Sequence, residues 1–307
     1  MTNLICIAGP TASGKTALSI ALAKELGGEV VSCDSMQVYK YMDIGTAKPT
    51  VEEREGIPHH MLDVAEPDED FSVSRYCEMA APIVDDIVAR GKTAIIAGGT
   101  GLYMDALIRG NNFAPFPSTG VREKLEQKPI EDVYDRLKQV DPEAAARLHL
   151  ADKKRIIRAM EVYLETGETI TAHNLKTQAQ PPRYNPVWFG LEDENRADLY
   201  ARIDRRVEVM VNTGLMDEIH SLLARGIPEK ATAMQAIGYK EFLQVISGEA
   251  SMEEAVAQVQ QSSRKYAKRQ LTWFRRNSTM NWLRRAPGGS TEEILEAARR
   301  ILLNSDN

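Results

Sequence analysis

Residues 9–16 read Gly-Pro-Thr-Ala-Ser-Gly-Lys-Thr, the spacing G-x-x-x-x-G-K-T. Gly9 and Gly14 let the backbone of Pro10, Thr11, Ala12 and Ser13 curl until successive N–H groups point at one spot. Lys15 brings a positive charge to that spot, and the Thr16 hydroxyl can ligate a Mg²⁺ that bridges two phosphates. A helix starting at Thr16 adds the positive end of its dipole. The chemistry is that of a loop cradling phosphates, and a nucleoside triphosphate is its commonest guest.

The rest of the chain argues for another guest. A hydrolase built on such a loop needs a later apolar strand ending in an acid that holds Mg²⁺ and organises water. The best later strand, Thr93–Gly99, ends in Gly98-Gly99-Thr100 instead. Glycines at a strand end admit a close backbone or a flat ligand, or simply a tight turn, and Thr100 offers a hydroxyl there. Only Glu29–Asp34 ends in an acid. Asp34 beside a phosphate loop can be a metal partner, a general base or a helix cap. Ser35 and Gln37 follow it with groups suited to a nucleobase edge.

Cationic residues recur beyond this region. Lys154 and Arg158 stand i and i+4 on a helical pattern that starts at Asp152 as cap and stops at Gly167, with Arg155 between them and Ile156, Ile157, Met160 and Tyr163 on the apolar side. Residues 262–276 carry Arg264, Lys265, Lys268, Arg269, Arg275 and Arg276 without an acid, interleaved with Tyr266, Trp273 and Phe274, a mix suited to phosphates and stacked bases. Arg202 and Arg206, again i and i+4, are placed to reach the crevice of the phosphate loop. The net charge of −6 excludes a uniformly basic nucleic-acid binder but not a local basic face.

These groups must be held by a fold. Residues 1–110 alternate apolar strands with helical patterns, the signature of a parallel sheet covered by helices, whose ligands bind beyond the carboxyl ends of the strands. Gly9–Thr16, Asp34–Gln37 and Gly98–Thr100 therefore share one crevice. Breaker-rich segments at 111–120 and 177–186 bracket a purely helical stretch. The expected organisation is a phosphate-loop α/β core at 1–112 and 187–307, with a helical insertion at 113–186. Apolar content of 43% and the lack of any apolar run of about 18 residues exclude a membrane span. The N-terminus opens directly into a strand-like run without a basic leader, the pattern of a cytoplasmic protein. Three scattered cysteines read as core thiols, and the five histidines show no metal-ligand spacing.

Eight segments in register, GPTASGKT, DSMQVY, MDIGTAKP, PHHMLDV, GGTGLY, KKRIIRAMEVYLETG, AIGYKEF and AKRQLTWFRR, make nearly the whole chain resemble the bacterial tRNA dimethylallyltransferases, or tRNA isopentenyltransferases. The resemblance implies transfer of a dimethylallyl group from dimethylallyl diphosphate, with Mg²⁺, to N6 of the adenosine immediately 3′ of a tRNA anticodon. It implies that Gly9–Thr16, Arg202 and Arg206 hold the diphosphate. Lys15, Thr16, Asp34 and Thr100 would then be catalytic, and Asp34 would take the N6 proton. It implies tRNA contacts at Asp34, Ser35, Met36, Gln37, Thr100, Arg122, Lys154, Arg155, Ile156, Ile157 and Arg158, and no obligate protein partner. Three rivals share parts of the pattern: a small-molecule kinase, an isopentenyltransferase acting on free AMP or ADP, and a tRNA-binding module without chemistry. The AMP enzyme has little use for a basic helical insertion, and the intact Lys15, Thr16 and Asp34 disfavour the module.

Overall fold

The computed structural model describes residues 3–110 and 119–305. Six short runs form strands: β1 (Leu4–Ala8), β2 (Glu29–Ser32), β3 (His59–His60), β4 (Ala94–Gly98), β5 (Val187–Asp193) and β6 (Asn281–Arg285). They pair in the order β3-β2-β4-β1-β5-β6, and every pairing is parallel. A sheet buried on both faces needs apolar residues at nearly every strand position rather than alternation. In β1, Leu4, Cys6 and Ala8 join the core on one face while Ile5 and Ile7 join the other. β4 divides likewise, with Ala94 and Ile96 on the first face and Ile95 on the second.

Helices α1 (Lys15–Leu26), α2 (Val73–Ala89) and α3 (Gly101–Arg109) follow the first strands. Next come α4 (Val121–Glu126), α5 (Ile130–Val140), α6 (Pro142–Arg147), α7 (Lys153–Thr166) and α8 (Ile170–Ala179). The chain then returns through β5 to α9 (Arg196–Asn212), α10 (Leu215–Ala224), α11 (Lys240–Ile246), α12 (Met252–Phe274) and, beyond β6, α13 (Thr291–Ser305). Leu18, Leu22 and Ala23 of α1 and Ile294, Leu295 and Ala298 of α13 cover one sheet face, and α2, α3, α10, α11 and α12 supply the core on the other. No helix among the described residues is long and apolar enough to cross a membrane.

The chain divides into two compact units, 1–110 with 183–307, and 111–182. Most of the breaker-rich segment expected at 111–120 lies outside the described residues. The smaller unit has its own core, in which Ile156, Ile157 and Met160 of α7 meet Leu125, Val133 and Leu137. Asp152 stands at the N-terminus of α7 but makes no capping hydrogen bond. Its carboxylate lies 3.6 Å from Arg155 instead, which corrects the expected cap. Gly167 ends α7 in the left-handed conformation at φ 72°, the stop its lack of Cβ permits.

Two of the shared segments lock together in the larger unit. Glu218 accepts the N–H groups of Asp43 (2.7 Å), Ile44 (2.7 Å) and Gly45 (3.0 Å) and the Tyr239 hydroxyl (2.6 Å). A Cβ on Gly45 would stand 2.5 Å from the Tyr239 ring, so only glycine fits. Lys48, 6% exposed, donates to the Tyr39 carbonyl (2.8 Å), Asp43 (2.6 Å) and Asp63 (2.6 Å). These bonds fix the long loop that follows Asp34. The edge strand β3 had no sequence signal, being two residues long. There His60 Nε2 meets Glu29 Oε2 at 2.8 Å, and His59 Nδ1 meets the Ile57 carbonyl at 2.9 Å.

Candidate active site

The carboxyl ends of β1, β2 and β4 bring the three expected segments together. Residues 9–14 leave β1 and turn into α1, and Gly14, in the cap position before it, has φ 96° and offers no side-chain cap. The N–H groups of Lys15 and Thr16, in the first helical turn, are left facing outward without intrahelical acceptors. Two N–H groups of the loop are not open: Thr11 donates to Gln270 Oε1 (2.9 Å) and Ser13 to the Pro10 carbonyl (3.3 Å). This corrects the expectation that the successive N–H groups of Thr11, Ala12 and Ser13 all point at the ligand. Ala12 sits at φ 61°, an uncommon conformation for a residue with a Cβ, and its carbonyl accepts Arg202 Nε at 3.1 Å.

Lys15 folds back so that Nζ donates to the Pro10 carbonyl at 2.7 Å. Burial first and the nearby Arg206 second push its ammonium down to about 7, against a smaller opposing pull from Asp34. Arg206 Nη1 donates to Thr11 Oγ1 (3.2 Å), and Arg202 Nη2 donates to Asp193 at the end of β5 (2.6 Å). Burial also lowers the Arg206 pKa, with Asp34 opposing. Both α9 arginines therefore reach the loop. Asp34 Oδ1 accepts the N–H groups of Met36 (2.9 Å) and Gln37 (3.3 Å), so one oxygen caps a turn. Oδ2 has no hydrogen-bond partner among the described residues. Thr100 Oγ1 accepts the Ser35 N–H (3.0 Å), and the Thr100 N–H donates to the Cys33 carbonyl (3.2 Å), tying the β4 end to the β2 end.

The glycines at the β4 end accommodate protein rather than a flat ligand. A Cβ on Gly98 would stand 1.9 Å from the Cys33 carbonyl oxygen, on Gly99 2.1 Å from Gln270 Nε2, and on Gly101 2.2 Å from the Trp273 ring. Gln270, 5% exposed on α12, donates Nε2 to the Gly99 carbonyl (3.0 Å) while accepting the Thr11 N–H. It is the bridge between the phosphate loop and the β4 end, and sequence reasoning missed it. The only hint was its place in AKRQLTW. Tyr266, one turn earlier, has Thr100, Gln270 and Asp34 as polar neighbours, and burial pushes its phenol up to about 12.

Several sequence-assigned groups have a place in the fold. The Gln37 amide accepts Ser32 Oγ (3.1 Å) and donates to the carbonyls of Thr46 (3.3 Å) and Ala47 (3.1 Å), so its side chain holds the turn after Asp34. Met36 packs against the core. Phe274 is 2% exposed and so is no platform for a stacked base, while half-buried Trp273 donates Nε1 to Asp105 (2.8 Å). On α12 Arg264 pairs with Asp204, and just past its end Arg275 pairs with Glu192 while Arg276 lies over the Trp273 ring at 5.1 Å. In the smaller unit, Ile156 (0% exposed) and Ile157 (8%) are core residues, so a tRNA contact at either position would fall to its backbone or its neighbours. Lys154 and Arg155 are exposed. Arg158 donates to Glu161 (2.7 Å), and Arg122 faces the same carboxylate at 3.5 Å. Cys6 and Cys33 are fully buried with their thiols pushed up, consistent with core residues.

An all-parallel sheet with G-x-x-x-x-G-K-T between β1 and α1, and with Asp34 and Thr100 at the neighbouring strand ends, defines an α/β protein of the phosphate-loop class. A family model described as IPP transferase matches residues 37–277. The chain is 45% identical over 307 residues to a tRNA dimethylallyltransferase of Acetivibrio thermocellus, with 98% of each sequence covered. Among solved structures it is similar to the full-length tRNA isopentenylpyrophosphate transferase of Bacillus halodurans, at a TM-score of 0.74 and 41% identity, covering 98% of this chain and 96% of that one. It is also similar to a eukaryotic dimethylallyltransferase acting on tRNA, at a TM-score of 0.81 and 30% identity, covering 92% and 74%. The chain belongs to the IPP transferase family, the tRNA dimethylallyltransferases.

Proposed function

We propose that the protein transfers the dimethylallyl group of dimethylallyl diphosphate to N6 of the adenosine immediately 3′ of a tRNA anticodon, releasing diphosphate, and that it does so in the cytoplasm. The observation that carries this reading is the pairing of a phosphate loop ringed by Lys15, Arg202 and Arg206 with a carboxylate, Asp34, and no acid at the end of β4. Such a site is equipped to take up a departing diphosphate and has no counterpart of the acid that organises water in a hydrolase. Family membership supports tRNA as acceptor over free AMP and over a kinase reaction.

The chemistry divides among the chain's own groups. As the bond between the allylic carbon and the diphosphate oxygen breaks, negative charge builds on the leaving group. The open N–H groups of Gly14, Lys15 and Thr16, the Lys15 ammonium and the two α9 guanidiniums lie where they stabilise it. The adenine must leave its stack to enter the crevice. Its N6 then attacks the allylic carbon, and Oδ2 of Asp34 takes the N6 proton while Oδ1 keeps the turn closed. Thr100 holds Ser35 and with it the Asp34 turn.

The residues fit Mg²⁺. The Thr16 hydroxyl is exposed at the first turn of α1 and has no hydrogen-bond partner among the described residues. No cluster of three or more His, Cys, Asp or Glu stands among those residues, so Mg²⁺ would be held by Thr16 with phosphate oxygens and water, its usual mode. Bound there, it would neutralise charge on the diphosphate. Exposed Lys154 and Arg155, with Arg158 and Arg122 on the same small unit, would meet tRNA phosphates.

The test incubates the protein with Mg²⁺, dimethylallyl diphosphate and unmodified anticodon stem-loops, with or without adenosine 3′ of the anticodon, and weighs the RNA by mass spectrometry. A dimethylallyl mass gain on the adenosine-bearing RNA alone is expected. No gain, with free AMP prenylated or ATP consumed in parallel reactions, overturns the acceptor.

A further inference from the structure

Arg285 ends β6, the sheet-edge strand beyond β5, and its guanidinium lies against the phosphate loop. A Cβ on Gly14 would stand 2.8 Å from its Nη2. Its Nε is buried without a partner, and the guanidinium makes no hydrogen bond or ion pair among the described residues. Every other cation at the loop is engaged: Arg202 by Asp193 and the Ala12 carbonyl, Arg206 by Thr11, and Lys15 by Pro10. The adjacent Arg284 points elsewhere, being 66% exposed with Glu192 at 3.9 Å.

A guanidinium has five donors in a fixed fork, and one that is half-buried with its donors unused is in an unfavourable state that an anion would relieve. Burial first, and the adjacent Arg202 second, push its pKa down, with Asp193 opposing, as expected of a cation lacking a bonded counter-charge. Gly14 is the residue whose missing side chain lets the guanidinium come this close to the loop. We propose that Arg285 is a further diphosphate-binding residue, a third guanidinium that reaches the phosphate loop from the β6 side while Arg202 and Arg206 reach it from α9. This rests on the reading of the loop's guest as a diphosphate.

The experiment titrates the full chain with inorganic pyrophosphate and Mg²⁺ by calorimetry, alongside the RNA prenylation assay. Arg285→Gln is expected to weaken pyrophosphate binding about 10- to 100-fold, the scale of a lost hydrogen bond to a charged group. Arg285→Lys, which keeps the charge without the fork and guards against misfolding, falls between Gln and wild type. Arg284→Gln binds like wild type. Undiminished binding by Arg285→Gln, or an equal loss in Arg284→Gln, overturns the proposal. Wild-type protein that binds pyrophosphate in an Arg285-dependent way yet prenylates no RNA supports Arg285 while overturning the proposed reaction. Wild-type protein that binds no pyrophosphate overturns both.

Discussion

Gln270→Leu removes a side chain that joins the phosphate loop to the end of β4. Leucine keeps much of the volume but leaves the Gly99 carbonyl, which is buried, and the Thr11 N–H, which is partly buried, without their partners. An abandoned buried group costs about 1–3 kcal/mol. The Thr11 group, within reach of water, costs roughly 1 kcal/mol, so the change should destabilise the larger unit by roughly 2–4 kcal/mol. Gly99→Ala should act on the same contact from the other side, because its Cβ would lie 2.1 Å from Gln270 Nε2 and must expel the amide. The double variant should therefore cost within about 1 kcal/mol of either single one, where independent sites would sum. Urea unfolding followed by tryptophan fluorescence is the suitable assay, since all three tryptophans, Trp188, Trp273 and Trp282, belong to the larger unit. A Gln270→Leu cost below about 0.5 kcal/mol, or additive costs in the double variant, would refute the bridge.

Asp34→Asn keeps an oxygen to cap the Met36 and Gln37 N–H groups but cannot take a proton, so transfer should fall by about 10² or more with folding and tRNA affinity little changed. Near-normal single-turnover rates would return Asp34 to a purely capping role. Lys15, lowered to about 7 in the folded protein against about 10.4 unfolded, binds fewer protons folded than unfolded between those values, so its contribution to stability rises with pH across that window. A diphosphate restores the ammonium, and binding at pH 8 should take up a proton. Calorimetry in buffers of different ionisation enthalpy measures this, and the same uptake in Lys15→Met would contradict the assignment. Lys154→Ala combined with Arg158→Ala should flatten the salt dependence of tRNA binding by up to about two phosphate contacts; an unchanged slope would leave α7 as an ordinary solvated helix.

What the sequence made legible was local. The phosphate loop carries its signature in eight consecutive residues, and Asp34 was visible because a strand-like run ended in an acid. The apolar runs of β1, β4 and β5 and the periodicity of α7, α9 and α12 likewise carry their signal in a short window. The misses share a different cause. β3 is two residues long, and β6 (Asn-Trp-Leu-Arg-Arg) has too few apolar residues to read as a strand until β5 is beside it. Gln270 meets Thr11 across 259 residues, and Glu218 receives the Asp43–Gly45 N–H groups across about 174, so their roles exist only once the sheet has formed. Helical periodicity places Ile156 and Ile157 on an apolar face, and the structure buries both there.

The glycines at the β4 end show how such ambiguity is resolved. In sequence, Gly98 and Gly99 allow a neighbouring backbone, a flat ligand or a turn. In the structure the space beside Gly98 is filled by the Cys33 carbonyl, that beside Gly99 by Gln270, and that beside Gly101 by Trp273. Each glycine is thus accounted for by a close protein neighbour. On the proposed reaction, the adenine would meet Asp34 through Oδ2, the carboxylate oxygen without a hydrogen-bond partner among the described residues, because Oδ1 is held by the turn. The same packing joins donor and acceptor sides mechanically. Thr11 and Gly99 share Gln270, and Thr100 holds Ser35 beside Asp34, so a continuous set of hydrogen bonds links the phosphate loop to the carboxylate proposed to take the proton.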